Sequence, residues 1–291
     1  MGHPMELLGS PNVRSLRQGL GLTKKSWGVI RSHPGLIKVP ITGGVIGLVA
    51  FVVLAAPGLV LLDSEDTWAV VGGVALLLIG CLFAGWVVLF FNVVLVVGAD
   101  QALRGEEPDI GGAQRVARSR LAAIIKWGLV SFAVGFALGA LSESKGAAGR
   151  AAASVGAAMW SLVTFLVLPV LAFEEVGPLA AMKRSTTLFR QRWGQQVTGN
   201  VIIGGVAGMI VFVGILVGLG GVYMIISGGT TAIVAGVALV VVGVIVTLGG
   251  AVFGGATRNV FGVALYRYVA EDRALGPFTE ADLAGVARQP A

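Results

Sequence analysis

The chain has 291 residues, 56% of them hydrophobic and only 12% charged, with a net charge of +6. An ordinary soluble domain is roughly a quarter charged, and the apolar residues here fall in long runs that no soluble core of this size can hide, so lipid must be their solvent. The single cysteine, Cys81, excludes a disulfide framework and any cysteine-based metal site within one chain.

The first 36 residues are polar and basic, with no short apolar segment ending in a cleavage site, so no leader peptide is expected. Glu6 stands where a myristoylation signal requires Ser or Thr. Residues 13–31 read as a basic amphipathic helix. Val13, Leu16, Leu20, Thr23, Trp27 and Ile30 recur at spacings of three and four, with Arg14, Arg17, Lys24 and Arg31 on the neighbouring stripe.

The first apolar run covers about 39–62 and ends at Asp63-Ser64-Glu65-Asp66. The second, about 68–99, is longer than a hydrocarbon core of ~30 Å requires and must tilt or protrude. A polar segment, 100–120, leads to the third run at about 121–141. A short turn separates it from the fourth, about 151–173, with Pro169 near its end. Residues 174–196 are polar again. The fifth run, about 197–226, joins the sixth, about 231–257, through a turn too short to be anything but a hairpin.

Cytoplasmic loops retain Lys and Arg. Of the 21 such residues, all but Lys145 and Arg150 fall in one alternating set of segments. The asymmetry requires an even number of spans with both termini in the cytoplasm. The expected fold is all-α: a polytopic transmembrane bundle of about six spans, arranged as three hairpins joined by basic amphipathic interfacial helices. It divides into an N-terminal cytoplasmic segment (1–38), a six-span domain (39–257) and a cytoplasmic tail (258–291) in a multi-pass protein of the cell membrane.

A weak internal repeat supports three units. Trp27-Gly28, Trp127-Gly128 and Trp193-Gly194 each stand where a basic segment meets an apolar run. The ends of spans two and six align as well, Asn92-Val93 with Asn259-Val260 and Asp100 with Arg267. If the two spans approach each other there, Asp100 and Arg267 are candidate partners.

Segment 179–193 repeats the amphipathic pattern with Leu179, Met182, Thr186, Phe189 and Trp193, flanked by Lys183 and Arg190. Such a helix can lie flat on a membrane, apolar side down, with basic stems reaching anionic headgroups. Lys24, Lys25, Lys183, Arg184 and Arg190 are the candidate headgroup contacts. The alternative is that these segments are connectors whose charges fix topology, or that the stripe packs on the ends of the spans.

No catalytic, cofactor or metal motif is found. His3 and His33 both lie outside the spans, and there is no phosphate-binding loop. Small-residue pairs such as Gly43/Gly47, Gly214/Gly218 and Gly250/Gly254 have the spacing that lets helices pack closely. The polar residues Asn92, Asp100, Glu174, Arg258, Asn259 and Arg267 gather near the cytoplasmic ends, either lining a cavity or satisfying one another. No acidic or basic residue sits near the middle of any span, where a coupled transporter usually needs one.

The chain resembles an uncharacterised family of six-span prokaryotic membrane proteins, domain-of-unknown-function family 6159. The resemblance rests on Ser26-Trp27 with Arg31 and Pro34, on Phe91-Asn92, and on Val176-Gly177-Pro178 followed by Lys183-Arg184-Ser185. Phe189, Trp193-Gly194 and Ala264-Leu265-Tyr266-Arg267-Tyr268 complete it. It implies a membrane fold and no activity. The expectation is a non-enzymatic protein that organises lipid or a membrane partner, in contact with anionic lipid and without nucleic acid or cofactor. A small-molecule or lipid transporter is the alternative.

Overall fold

The computed structural model describes residues 11–143, 146–193 and 199–285. The side chains at 11–18, 189, 191–193, 199–206, 284 and 285 lie outside that description, as do Lys145 and Gly194. Parts of the expected amphipathic stripes, Phe189 and Trp193 among them, therefore fall outside it.

Among the described residues there are eleven helices and no strand. Three surface helices each precede a hairpin. Helix α1 (Pro11–Ser32) leads into α2 (Pro34–Leu61) and α3 (Thr67–Leu103). Helix α4 (Ile110–Ser119) leads into α5 (Leu121–Glu143), followed by α6 (Ala147–Val163) and α7 (Val167–Phe173). Helix α8 (Pro178–Trp193) leads into α9 (Gly199–Ile226) and α10 (Thr230–Glu271), and α11 (Glu280–Gly285) closes the described chain. Six helical segments are long and apolar enough to cross a membrane, with mean hydropathies from 2.0 to 2.8.

The turns follow from local chemistry. Asp66 caps α3 by accepting from the backbone N–H of Trp68. The α9–α10 turn needs two consecutive left-handed residues, which Gly228 (φ 82°) and Gly229 (φ 87°) supply without a Cβ penalty.

The hairpins are held by glycine. A Cβ on Gly73 would stand 2.7 Å from the carbonyl oxygen of Gly58, and one on Gly58 would stand 2.8 Å from that of Gly73. The α9–α10 hairpin repeats the arrangement, with Gly221 and Gly236 each 2.6 Å from the other's carbonyl oxygen by the same measure. Gly73 and Gly80 on α3, and Gly236, Gly243 and Gly250 on α10, recur every seven residues and are all buried. That spacing keeps one bare stripe facing the partner helix.

The middle of the spans is lipid-facing. Only 6% of the most apolar stretch of α3 and 11% of that of α10 is buried within the protein, and Val53, Val60, Phe136, Phe212, Val234 and Ile245 are exposed. The buried core lies at one end. Helices α3 and α10 run to 37 and 42 residues, about 55 and 63 Å, roughly twice the hydrocarbon thickness. Their far ends, Val93–Leu103 and Ala256–Val269, carry the two densest runs of buried apolar side chains. The surface helices α1, α4 and α8 and the short helix α7 complete this core, which sits at the Lys- and Arg-rich end of the bundle. Phe261, fully buried, contacts the rings of Phe165 and Phe278.

Two expectations change. The tail boundary at 258 falls inside a continuous helix, because Val260, Phe261 and Val263–Leu265 keep α10 apolar until the left-handed Asp272 ends it. The fourth run is not one helix but breaks at Thr164–Leu166. Pro169 explains the break: it lacks the N–H that would bond the carbonyl four residues back, at Phe165, and its ring crowds that carbonyl.

Candidate functional site

The polar residues at the basic end form two groups. In the first, Arg267 meets Asp100 through two parallel hydrogen bonds, Nε to Oδ1 at 2.8 Å and Nη2 to Oδ2 at 2.9 Å. Both residues are buried. Arg104 Nε adds a contact to Asp100 at 3.1 Å, Arg267 Nη1 donates to Glu271, and the guanidinium lies 4.5 Å above the centre of the Phe173 ring. Glu174 joins from the next turn of the chain. Tyr266 donates its hydroxyl to Glu174 at 2.9 Å, and Arg184 Nε stands 3.0 Å from both carboxylate oxygens. Every charge in this group has an opposite neighbour.

The second group lines a cleft of about 260 Å³ between α3, α5, α6 and α10. Asn259 donates its amide to Asn92 at 2.7 Å. Arg258 is half-buried, and its guanidinium reaches only the carbonyl and hydroxyl oxygens of Ser161, at 3.3 and 3.4 Å, and the face of Phe165 at 5.4 Å. Trp127 and Trp160 stack on the opposite side, ring centres 5.6 Å apart and 17° from parallel, and Ser131 lies beside them. The sequence reading gathered Asn92, Arg258 and Asn259 but missed these three. Trp127 was noted only as a unit marker, although tryptophans opposite a near-interface arginine are the kind of signal that finds a cleft.

The candidate headgroup contacts divide. Lys25 pairs with Asp282 of α11, and Arg184 is taken by Glu174. Lys24, Lys183 and Arg190 are exposed. Helix α8 fully buries none of the described residues of its apolar stripe. It docks through Pro178, Ala181, Ser185 and Leu188, while Leu179 is 70% exposed and Met182 and Thr186 are half-buried. Small side chains let the helix approach closely, and Ser185 satisfies the break between α6 and α7: its hydroxyl donates to Val163 O at 2.6 Å and accepts from Leu166 N at 3.3 Å. The free side, with Val163, Leu179, Met182, Lys183, Thr186 and Arg190, borders an open groove of about 720 Å³. Helix α1 differs, burying Thr23 and Ile30 of its own stripe and packing Trp27 on the core. Leu22, Thr23, Ser26, Val29 and Ile30 are buried, and Leu20 is half exposed.

Arg120 donates to Glu175, and this hydrogen bond, with the attraction of the guanidinium, holds the Glu175 carboxyl below its ordinary range. Among the described residues no three His, Cys, Asp or Glu side chains are grouped to hold a metal ion.

Six apolar spans and a polar-stitched core at one end define a multi-pass helical membrane protein. The chain belongs to a family of unknown function, DUF6159, whose family model matches residues 70–276. No curated protein and no solved structure matches the chain.

Proposed function

We propose that the protein is a non-enzymatic component of the cell membrane that gathers anionic lipid at its basic end, with that end and both termini in the cytoplasm. The observation that carries this reading is the one-sided docking of α8. Its inner face, with Ala181, Ser185 and Leu188, is committed to the protein, leaving Leu179 outward beside the exposed cations Lys183 and Arg190. A helix so placed offers acyl chains an apolar surface and headgroups two positive charges. Each basic residue near an anionic leaflet adds about 1 kcal/mol of attraction, and the placement of nearly all Lys and Arg at that end supports the orientation. Transport is the lesser reading, since the middle of the described spans holds no acidic or basic side chain to bind or couple a substrate.

The test is lipid selectivity of the full-length protein reconstituted in mixed phosphatidylglycerol and phosphatidylcholine. Spin-labelled phosphatidylglycerol should be enriched at the protein surface over spin-labelled phosphatidylcholine. Replacing Lys183 and Arg190 together by Gln should remove most of the enrichment, and high salt should weaken it. Equal association of the two lipids with the unaltered protein would overturn the reading.

A further inference from the structure

Arg258 is the one described cation of the inner cluster with no carboxylate near it. Nine residues further along α10, Arg267 is matched by Asp100 and Glu271. Arg258 has two long bonds to Ser161, both from Nη2, which leaves Nε and Nη1 without a protein acceptor among the described residues. Those groups are not sealed in: the only fully buried side-chain nitrogen or oxygen atoms without a partner there are Ser26 Oγ and Arg120 Nε. They therefore face the cleft.

Arg258 is the one charged residue of the described lining. None of the lining residues is acidic. Asn259 spends an N–H on the Asn92 oxygen, which leaves the Asn92 NH2 as a donor. Ser131 brings a hydroxyl, and the indole N–H groups of Trp127 and Trp160 have no acceptor among the described residues. A guanidinium fork surrounded by neutral donors matches a tetrahedral oxyanion. About 42 Å of helix separates Thr230 from Arg258, which carries this cation past the hydrocarbon to headgroup level.

We propose that this cleft binds one phosphate-type oxyanion through Arg258, with Asn92 and Ser131 as further donors. The site is separate from the α8 groove and does not depend on it. Its ligand is either the phosphate of an anionic lipid or a water-soluble phosphate.

Full-length protein in detergent, titrated with dihexanoyl phosphatidylglycerol and, in parallel, with inorganic phosphate at constant ionic strength, distinguishes the two. The stacked Trp127 and Trp160 supply the signal, so a saturable change in tryptophan fluorescence is expected that Trp160→Phe largely removes. Saturation in the lipid arm alone assigns a lipid phosphate, and saturation with inorganic phosphate assigns a soluble one. Arg258→Gln should weaken binding about tenfold to a hundredfold, with Arg258→Lys between it and the unaltered protein. Ser131→Asp, which gives Arg258 a carboxylate of its own, should abolish binding and guards against a misfolded Arg258 variant. Arg118→Gln should leave affinity unchanged. No saturable binding of either probe to the unaltered protein overturns the proposal. So does Ser131→Asp binding as tightly as the unaltered protein.

Discussion

Arg267 and Asp100 are joined by a two-pronged ion pair, and the Asn259–Asn92 hydrogen bond lies two helical turns away on the same two helices. Each pair joins residues 167 positions apart. Equivalent positions of two similar hairpins thus meet each other, as across a two-fold axis. The pair is buried, and removing one partner leaves the other with a single counter-charge, Glu271 for Arg267 or Arg104 for Asp100. Asp100→Asn should cost about 3–5 kcal/mol, while replacing both residues by Met should cost markedly less. Thermal melts of the purified variants decide it. Equal losses for the single and double variants would show that the pair does not act as a unit.

Neighbouring glycines should respond in opposite ways. A Cβ on Gly73 or Gly221 meets carbonyl oxygen of the opposite helix at 2.7 or 2.6 Å, and backbone cannot yield as a side chain can. Gly73→Val and Gly221→Val should each cost at least about 2 kcal/mol. At Gly72 the nearest atom is 4.0 Å away and at Gly220 nothing lies within 4 Å, so Ala at either should be neutral or stabilising by up to about 1 kcal/mol. Melting temperatures of the four variants test the contrast.

Two serines on surface helices are fully buried and differ in one respect. Ser185 serves the α6–α7 break with two hydrogen bonds, whereas Ser26 Oγ has no partner among the described residues. Ser185→Ala should destabilise by about 1–3 kcal/mol, and Ser26→Ala should be neutral or stabilising. Stability measured side by side in one detergent is sufficient, and a loss at Ser26 equal to that at Ser185 would contradict the assignment.

The six apolar runs, the hairpin order and the meeting of Asp100 with Arg267 were legible in the sequence, because long apolar stretches and an aligned pair of polar positions survive without coordinates. The docking face of α8 was not. Its stripe of Leu179, Met182, Thr186, Phe189 and Trp193 reads as the side turned to lipid or, alternatively, packed on the spans, and the periodicity does not mark Ala181 and Ser185, which are fully buried while Leu179 is exposed and Met182 and Thr186 are half-buried. The break in the fourth run was readable from Pro169, had the carbonyl four residues earlier been considered. The cleft could not be read, since Trp127, Ser131, Trp160 and Arg258 come from three helices whose rotation no pattern specifies.

Lys25 and Asp282 tie α1 to α11, and Asp282 also makes a reciprocal cap with Thr279, accepting from Thr279 N at 2.8 Å. Burial pushes the Asp282 carboxyl up, but the bonds from Lys25 and Thr279 outweigh it, and the folded value lies below the ordinary 3.8. The stability this carboxylate contributes is therefore complete above about pH 4 and is lost as pH falls through the lower, folded value. Asp282→Asn should melt a few degrees below the unaltered protein at pH 7, with the gap closing only under stronger acid. A gap that did not narrow at any pH down to acid unfolding would remove the carboxylate from the explanation.

The orientation of the basic end underlies the whole account, and single-cysteine labelling in intact cells tests it most directly. Cys81 is exposed and must first be replaced. A cysteine at Ser64 or Gly228, in the hairpin turns, should react with a membrane-impermeant thiol reagent, and one at Arg118 or Lys183 should react only after the cells are opened. Labelling of Arg118→Cys or Lys183→Cys from outside would place the basic end on the wrong face of the membrane and contradict the account.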